Sequence, residues 1–110
     1  MTLSSHVLDA STGTPAAGVA VTWQRLDTAQ WTDVAEARTD DDGRIGDWRS
    51  LPTPAGRHRL VFDSGGYFDE RGVDTFYPQV VVVFEVADPE QHFHVPLLLS
   101  PFAYSTYRGS

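Results

Sequence analysis

From His92 to Leu99 the chain reads His-Phe-His-Val-Pro-Leu-Leu-Leu, and every second residue from Phe93 onward is large and apolar. Side chains two apart on a strand share a face. Phe93, Val95, Leu97 and Leu99 therefore form one wholly apolar face, which requires a core. His92, His94, Pro96 and Leu98 form the other, which carries two imidazoles away from that core. Ser100-Pro101 ends the strand, because proline has no N–H for the ladder. Tyr104 to Tyr107 can return as the next strand, and Arg108-Gly109-Ser110 follows as a tail.

The same alternation recurs along the chain. Leu3 to Leu8 sets Leu3, Ser5 and Val7 against Ser4, His6 and Leu8. Val19 to Leu26 puts Val19, Val21 and Trp23 on one face. Trp31 to Arg38 reads as the next strand. Arg57 to Asp63 turns Leu60 and Phe62 inward and Arg57, Arg59 and Val61 outward, with His58 on the inward parity. Gln79 to Val86 is apolar on both faces: Val80, Val82, Phe84 and Val86 on one, Val81 and Val83 with Glu85 on the other. A sandwich strand needs one apolar face, so the extra valines predict that a partner subunit covers the outer one. Glycine, proline and hydroxyl clusters separate these segments. Asp40-Asp41-Asp42-Gly43 is a tight-turn signal, since Gly43 can supply a positive φ, and Arg44 follows at once. Residues 63–73 read as a loop or at most one helical turn. Seven or eight short strands with regular turns predict an all-β sandwich of two antiparallel sheets. There is no repeat or linker, so residues 1–110 are expected to form a single domain.

Composition removes several functions. The chain has no cysteine, so thiolate chemistry and disulfides are out. All eight basic residues are arginine, which excludes a Schiff-base lysine. A net charge of -7 argues against a nucleic-acid partner. No apolar run approaches membrane-spanning length. The N-terminal residues lack the basic and apolar regions of a secretory signal, and a cytoplasmic location is expected.

The polar residues of interest are His6, Arg44, the pair His92 and His94, and the tail. His6 and His94 both lie opposite core sets on different strands, so they can converge. Imidazoles take and return protons near neutral pH. A permanently charged guanidinium suits a carbonyl or a developing oxyanion. Together they suggest hydrolysis of a planar, oxygen-rich substrate. The simpler readings are polar surface for the histidines and a post-turn charge for Arg44. Zinc at His92 and His94 lacks an accompanying carboxylate or cysteine on that face, and no metal is assigned. Asp40 to Asp42 resembles a calcium loop only loosely. His58 reads as a structural hydrogen-bonding group, and Trp23, Trp31 and Trp48 as core or interface aromatics. No Gly-x-Ser-x-Gly elbow occurs.

Three motifs resemble one family. Leu3-Ser4-Ser5-His6-Val7-Leu8-Asp9 with Gly13-Thr14-Pro15-Ala16, the turn Thr39 to Arg44, and His92 to Pro101 followed by Tyr104 to Ser110 are similar to the signatures of transthyretin-related proteins. The ending Tyr107-Arg108-Gly109-Ser110 resembles the 5-hydroxyisourate hydrolase branch rather than the hormone carriers. The resemblance implies a transthyretin-like (prealbumin-like) sandwich and a homotetramer, a dimer of dimers, with sites in the channel between dimers. It implies hydrolytic opening of the six-membered ring of 5-hydroxyisourate, without metal or cofactor, in purine degradation. It carries catalytic roles to His6, Arg44 and His94. Substrate binding falls to His6, Arg44, Tyr107, Arg108, Gly109 and Ser110, with His92 behind them. In the carriers a lysine replaces the first histidine and a smaller residue the last tyrosine. Phe93 and Ala103 depart from the usual tyrosine and glycine. The alternatives are a transthyretin-like small-ligand module without catalysis and a structural sandwich module of surface proteins.

Overall fold

The computed structural model describes residues 1–49 and 55–110. Among these, the strands are β1 (Thr2–Asp9), β2 (Thr14–Pro15), β3 (Ala20–Asp27), β4 (Gln30–Arg38), β5 (Arg44–Arg49), β6 (Gly56–Phe62), β7 (Val80–Val86), β8 (His92–Ser100) and β9 (Ala103–Thr106). One helix, α1 (Ser64–Glu70), joins β6 to β7. The first sheet runs β2-β1-β8-β9, with β5 also paired to β1. β2 takes the Leu8–Asp9 end of that edge and β5 the Thr2–His6 end. The second sheet runs β4-β3-β6-β7.

The period-two pattern decides what goes between the sheets. Leu3 and Val7 of β1 and Phe93, Val95, Leu97 and Leu99 of β8 are buried, and face Val21, Trp23, Leu60, Phe62, Val80 and Val86 of the second sheet. Trp48 packs 5.7 Å from Trp23, centroid to centroid. Among the buried polar residues, Ser5 and His58 sit beside these apolar side chains, and both are bonded. Ser5 Oγ donates to the Val95 carbonyl at 2.7 Å. His58 Nδ1 accepts the Trp23 indole N–H at 3.0 Å, the structural role expected of it. Trp31 is only half-buried, and the Arg59 guanidinium lies 4.3 Å from its ring centroid.

Two features differ from the sequence reading. First, the sheets are not antiparallel throughout: β1 and β8 pair in parallel, Thr2 with His92 through Asp9 with Leu99. The chain builds the whole second sheet between these strands, and that long crossover lets β8 arrive in the direction of β1. Second, residues 64–70 make nearly two helical turns rather than at most one. Asp63 caps them by accepting the Gly66 N–H at 3.0 Å. Tyr67 and Phe68 are buried, so tertiary packing overrides the weak helix propensity of Gly65-Gly66. The Tyr67 hydroxyl donates to Asp9 Oδ2 at 2.9 Å, pinning α1 to the end of β1. Burial pushes the Asp9 carboxyl up, but hydrogen bonds from Ser11, Tyr67 and the Ser11 and Thr12 backbone outweigh it and hold it below the usual carboxylate range. Burial, then the Asp9 contact, pushes Tyr67 up to about 12. Val81 and Val83 belong to the second sheet, on an element other than those that carry the histidines. Among the described residues no helix is long and apolar enough to cross a membrane.

Candidate active site

The outer face of the first sheet collects residues from both ends of the chain. β1 and β5 pair His6 directly with Arg44, so the imidazole and the guanidinium leave the sheet side by side. β1 and β8 align Ser4 with His94 and Thr2 with His92. Parallel register keeps these on the same face, which places His94 diagonally across from His6. Arg44 owes its position to the turn before it. Asp40 Oδ1 accepts the N–H groups of Asp42 and Arg44, each at 2.9 Å, and the Asp40 N–H donates to the Arg44 carbonyl. Gly43 sits at φ 74°, and its carbonyl accepts the Val7 N–H at 2.8 Å. The first carboxylate of the acidic run is thus occupied with its own backbone. Among the described residues no three His, Cys, Asp or Glu side chains group as metal ligands.

The tail closes on the same face. The Gly109 N–H donates to the His94 carbonyl at 2.9 Å. Gly109 packs so tightly on the His94 ring that an added Cβ would collide with the ring carbons. Arg108 lies 5.3 Å from the Phe93 ring centroid and reaches Gln91 Oε1 at 3.5 Å. Tyr107 is largely exposed and, with Arg108, His94, Phe84 and Thr106, lines a cavity of about 300 Å³ between β7 and the tail. Ser110 is exposed and makes no side-chain hydrogen bond.

His94 is half-buried. Burial lowers its pKa first, and electrostatic interaction with His6, His92 and Arg44 lowers it further. The imidazole is therefore held neutral, as a proton acceptor must be. Its Nδ1 lies 2.7 Å from Ser4 Oγ. Ser4 Oγ is also 3.0 Å from His92 Nε2, and His92 Nδ1 is 2.5 Å from Thr2 Oγ1. Of the residues named from sequence, His6, Arg44, His94 and Gly109 gather on one face, with Tyr107 and Arg108 at its margin; Ser110 is the one that makes no such contact. Sequence reasoning missed Thr2 and Ser4. Parity puts Ser4 beside His6, but only the β1–β8 register shows that it meets both imidazoles of β8.

Residues 3–109 match the model of the HIUase/Transthyretin family. The chain belongs to that family. Among members, a 5-hydroxyisourate hydrolase of Mus musculus is 45% identical over 114 residues, covering 98% of this chain and 94% of the relative. The solved Klebsiella pneumoniae 5-hydroxyisourate hydrolase superposes with a TM-score of 0.88 at 40% identity, covering all of both chains. Sea bream transthyretin, solved in complex with thyroxine, superposes as well, with a TM-score of 0.89 at 37% identity over 97% of this chain and 93% of that one. Backbone shape is thus shared by a 5-hydroxyisourate hydrolase and a transthyretin solved with thyroxine, and the side chains on the first sheet's outer face must separate them.

Proposed function

We propose that this chain hydrolyses 5-hydroxyisourate, opening its six-membered ring to 2-oxo-4-hydroxy-4-carboxy-5-ureidoimidazoline in urate degradation. The observation that carries this reading is the pairing of His6 with Arg44 beside a neutral, half-buried His94. His94 Nε2, which has no hydrogen-bond partner among the described residues, accepts a proton from the attacking water. Arg44 and His6 stabilise the charge that develops on the carbonyl oxygen. Tyr107, Arg108 and Gly109 wall the site, and Gly109 sets the orientation of the His94 ring. This chemistry needs no metal or cofactor.

The likeness to a thyroxine-bound transthyretin favours a second reading, a small-ligand carrier. The two separate in one assay. Ultraviolet absorbance of freshly generated 5-hydroxyisourate decays faster with the protein if it is the hydrolase. Unchanged decay together with saturable thyroxine binding would establish the carrier instead.

The site face of the first sheet is open in one chain, and among the described residues β7 and β9 each pair on one side only. Unpaired edges are surfaces that a second chain can complete. The protein is accordingly proposed to act in the cytoplasm as a homotetramer, a dimer of dimers. Sedimentation at micromolar concentration is expected to give about four protomer masses, and a fully active monomer would contradict the shared channel.

Deleting Arg108-Gly109-Ser110 removes the Gly109 bond to the His94 carbonyl. The expected result is turnover lowered by roughly tenfold or more with the melting temperature almost unchanged, because this tail buries little apolar area. Wild-type kinetics in the truncated protein would remove the tail from the site.

A further inference from the structure

Four side chains on the outer face form an unbroken line: Thr2 Oγ1 to His92 Nδ1 at 2.5 Å, His92 Nε2 to Ser4 Oγ at 3.0 Å, and Ser4 Oγ to His94 Nδ1 at 2.7 Å. Each link joins a group that can donate to one that can accept, and the line satisfies itself in either of two polarities. In one, Thr2 donates to His92 Nδ1, His92 Nε2–H to Ser4, and the Ser4 hydroxyl to His94 Nδ1, which leaves the proton of His94 on Nε2. In the other, every bond is reversed, and Nε2 presents a lone pair. His94 is half-buried at the inner end, while His92 is exposed at the outer end.

We propose that Thr2, His92 and Ser4 form a proton relay that carries the proton taken up by His94 out to solvent during hydrolysis, an inference that rests on the hydrolase reading above. Starting from the lone-pair polarity, water gives one proton to His94 Nε2 as its oxygen bonds to the substrate carbonyl carbon and the carbonyl π pair moves onto its oxygen; when the carbon–nitrogen bond then breaks, the freed nitrogen takes the second proton of that water and the product is left as a carboxylate. The Nδ1 proton passes to Ser4 Oγ, the Ser4 hydroxyl proton to His92 Nε2, the His92 Nδ1 proton to Thr2 Oγ1, and the Thr2 hydroxyl proton to bulk water. Each residue of the line ends with as many protons as it began with; on both imidazoles the ring proton has moved from Nδ1 to Nε2, and after the product leaves, proton exchange with solvent returns the line to the lone-pair polarity. The exit is required by the product. Hydrolysis of a ring amide yields a carboxylic acid that ionises at neutral pH, and the freed nitrogen belongs to a ureide and is not basic. One proton per turnover must therefore leave the site.

The relay also removes an electrostatic conflict. An imidazolium at His94 would stand among His6 on β1, Arg44 on β5, His92 on its own strand and, across the shared cavity, Arg108 of the tail, with Glu85 of β7 as the acidic group lining that cavity. Burial first, and then electrostatic interaction with His6, His92 and Arg44, disfavour that charge. A concerted shift along Ser4 and His92 lets His94 act as a base and remain neutral. Thr2, Ser4 and His92 are positioning and proton-transfer residues here; none of them needs to touch the substrate.

The test is steady-state hydrolysis of 5-hydroxyisourate by wild type, Ser4→Ala, Ser4→Thr and His92→Gln, with and without added imidazole, each variant checked by its melting curve. Ser4→Ala cuts the line, and His92→Gln keeps two hydrogen-bonding atoms but cannot relay. Both are expected to lower kcat by about tenfold, less than loss of the base itself, with KM little changed. Added imidazole restores much of the loss, and Ser4→Thr, which keeps the hydroxyl, restores most of it. Wild-type kcat in both Ser4→Ala and His92→Gln would overturn the relay and leave the hydrolase reading standing. So would a loss insensitive to imidazole and accompanied by a lowered melting temperature. A wild-type protein that does not hydrolyse the substrate would overturn the hydrolase reading and the relay with it.

Discussion

Replacing His94 or His6 with asparagine is expected to lower turnover of 5-hydroxyisourate by about 10²–10⁴-fold, the usual contribution of a positioned acid or base. Asparagine keeps a polar group of similar reach but cannot exchange the proton. The two residues act in one step, so the double variant should be little worse than the worse single one. Arg44→Lys should also be damaging, because a point charge cannot reproduce the planar fork paired with His6. His94 is depressed by burial and by electrostatic interaction with its neighbours, so it stays neutral below the ordinary imidazole pKa of about 6.5. The acid limb of kcat/KM should therefore lie below that value. The same depression has a consequence for folding. The unfolded chain takes up the proton first, so stability associated with neutral His94 is complete above about 6.5 and is lost as pH falls through the folded-state value. The check is a set of rate profiles and melting curves across that range. An asparagine variant at position 94 with wild-type kcat would end the assignment.

The second large effect is expected at Gly43. It sits at φ 74°, and a Cβ there would collide with the Val7 carbonyl and come within 3.1 Å of the Ala16 nitrogen. That carbonyl accepts the Ala16 N–H, and the Val7 N–H binds Gly43 itself, so neither backbone can give way without losing a bond. Gly43→Ala combines a disfavoured backbone conformation, about 1–3 kcal/mol, with this clash. A fall in Tm on the order of 10 °C or more is expected. Residual activity at low temperature should drop further than the folded fraction, because the same turn aims Arg44. A Gly43→Ala protein with wild-type Tm would show that the turn relaxes freely.

How much of this was legible from sequence can be judged residue by residue. The period-two alternation of β1, β3, β6 and β8 told which side chains would meet in the core, because alternation is a local property of the pleat. It also told that His6 and His94 would leave the core on outer faces. It could not tell that Ser4 lies opposite His94, since register between strands ninety residues apart is set by the packing of the whole sandwich. The parallel direction of β8 was hidden for the same reason. The helix at Ser64–Glu70 was missed because Gly65-Gly66 argues against it locally, and only the burial of Tyr67 and Phe68 offsets that. The valines of β7 predict a partner on that strand's outer face, but face assignments within one strand do not reveal which sheet the strand joins.

The parallel seam between β1 and β8 also bears on how the molecule comes into being on the ribosome. Synthesis delivers Thr2 to Asp9 first, yet on one side their ladder partner is not made until His92 to Ser100 emerge. Until then, a strand carrying Leu3 and Val7 has one edge bare and its buried side half-covered. Such late-closing, long-range pairings slow folding and leave partly built chains exposed to unwanted association. The proposed site shares that timetable: His6 and Arg44 can meet early across β1 and β5, but the base arrives with the last strands. On the proposed assignment, a chain stalled before residue 92 would lack its base and present an open sheet edge rather than a weakened enzyme.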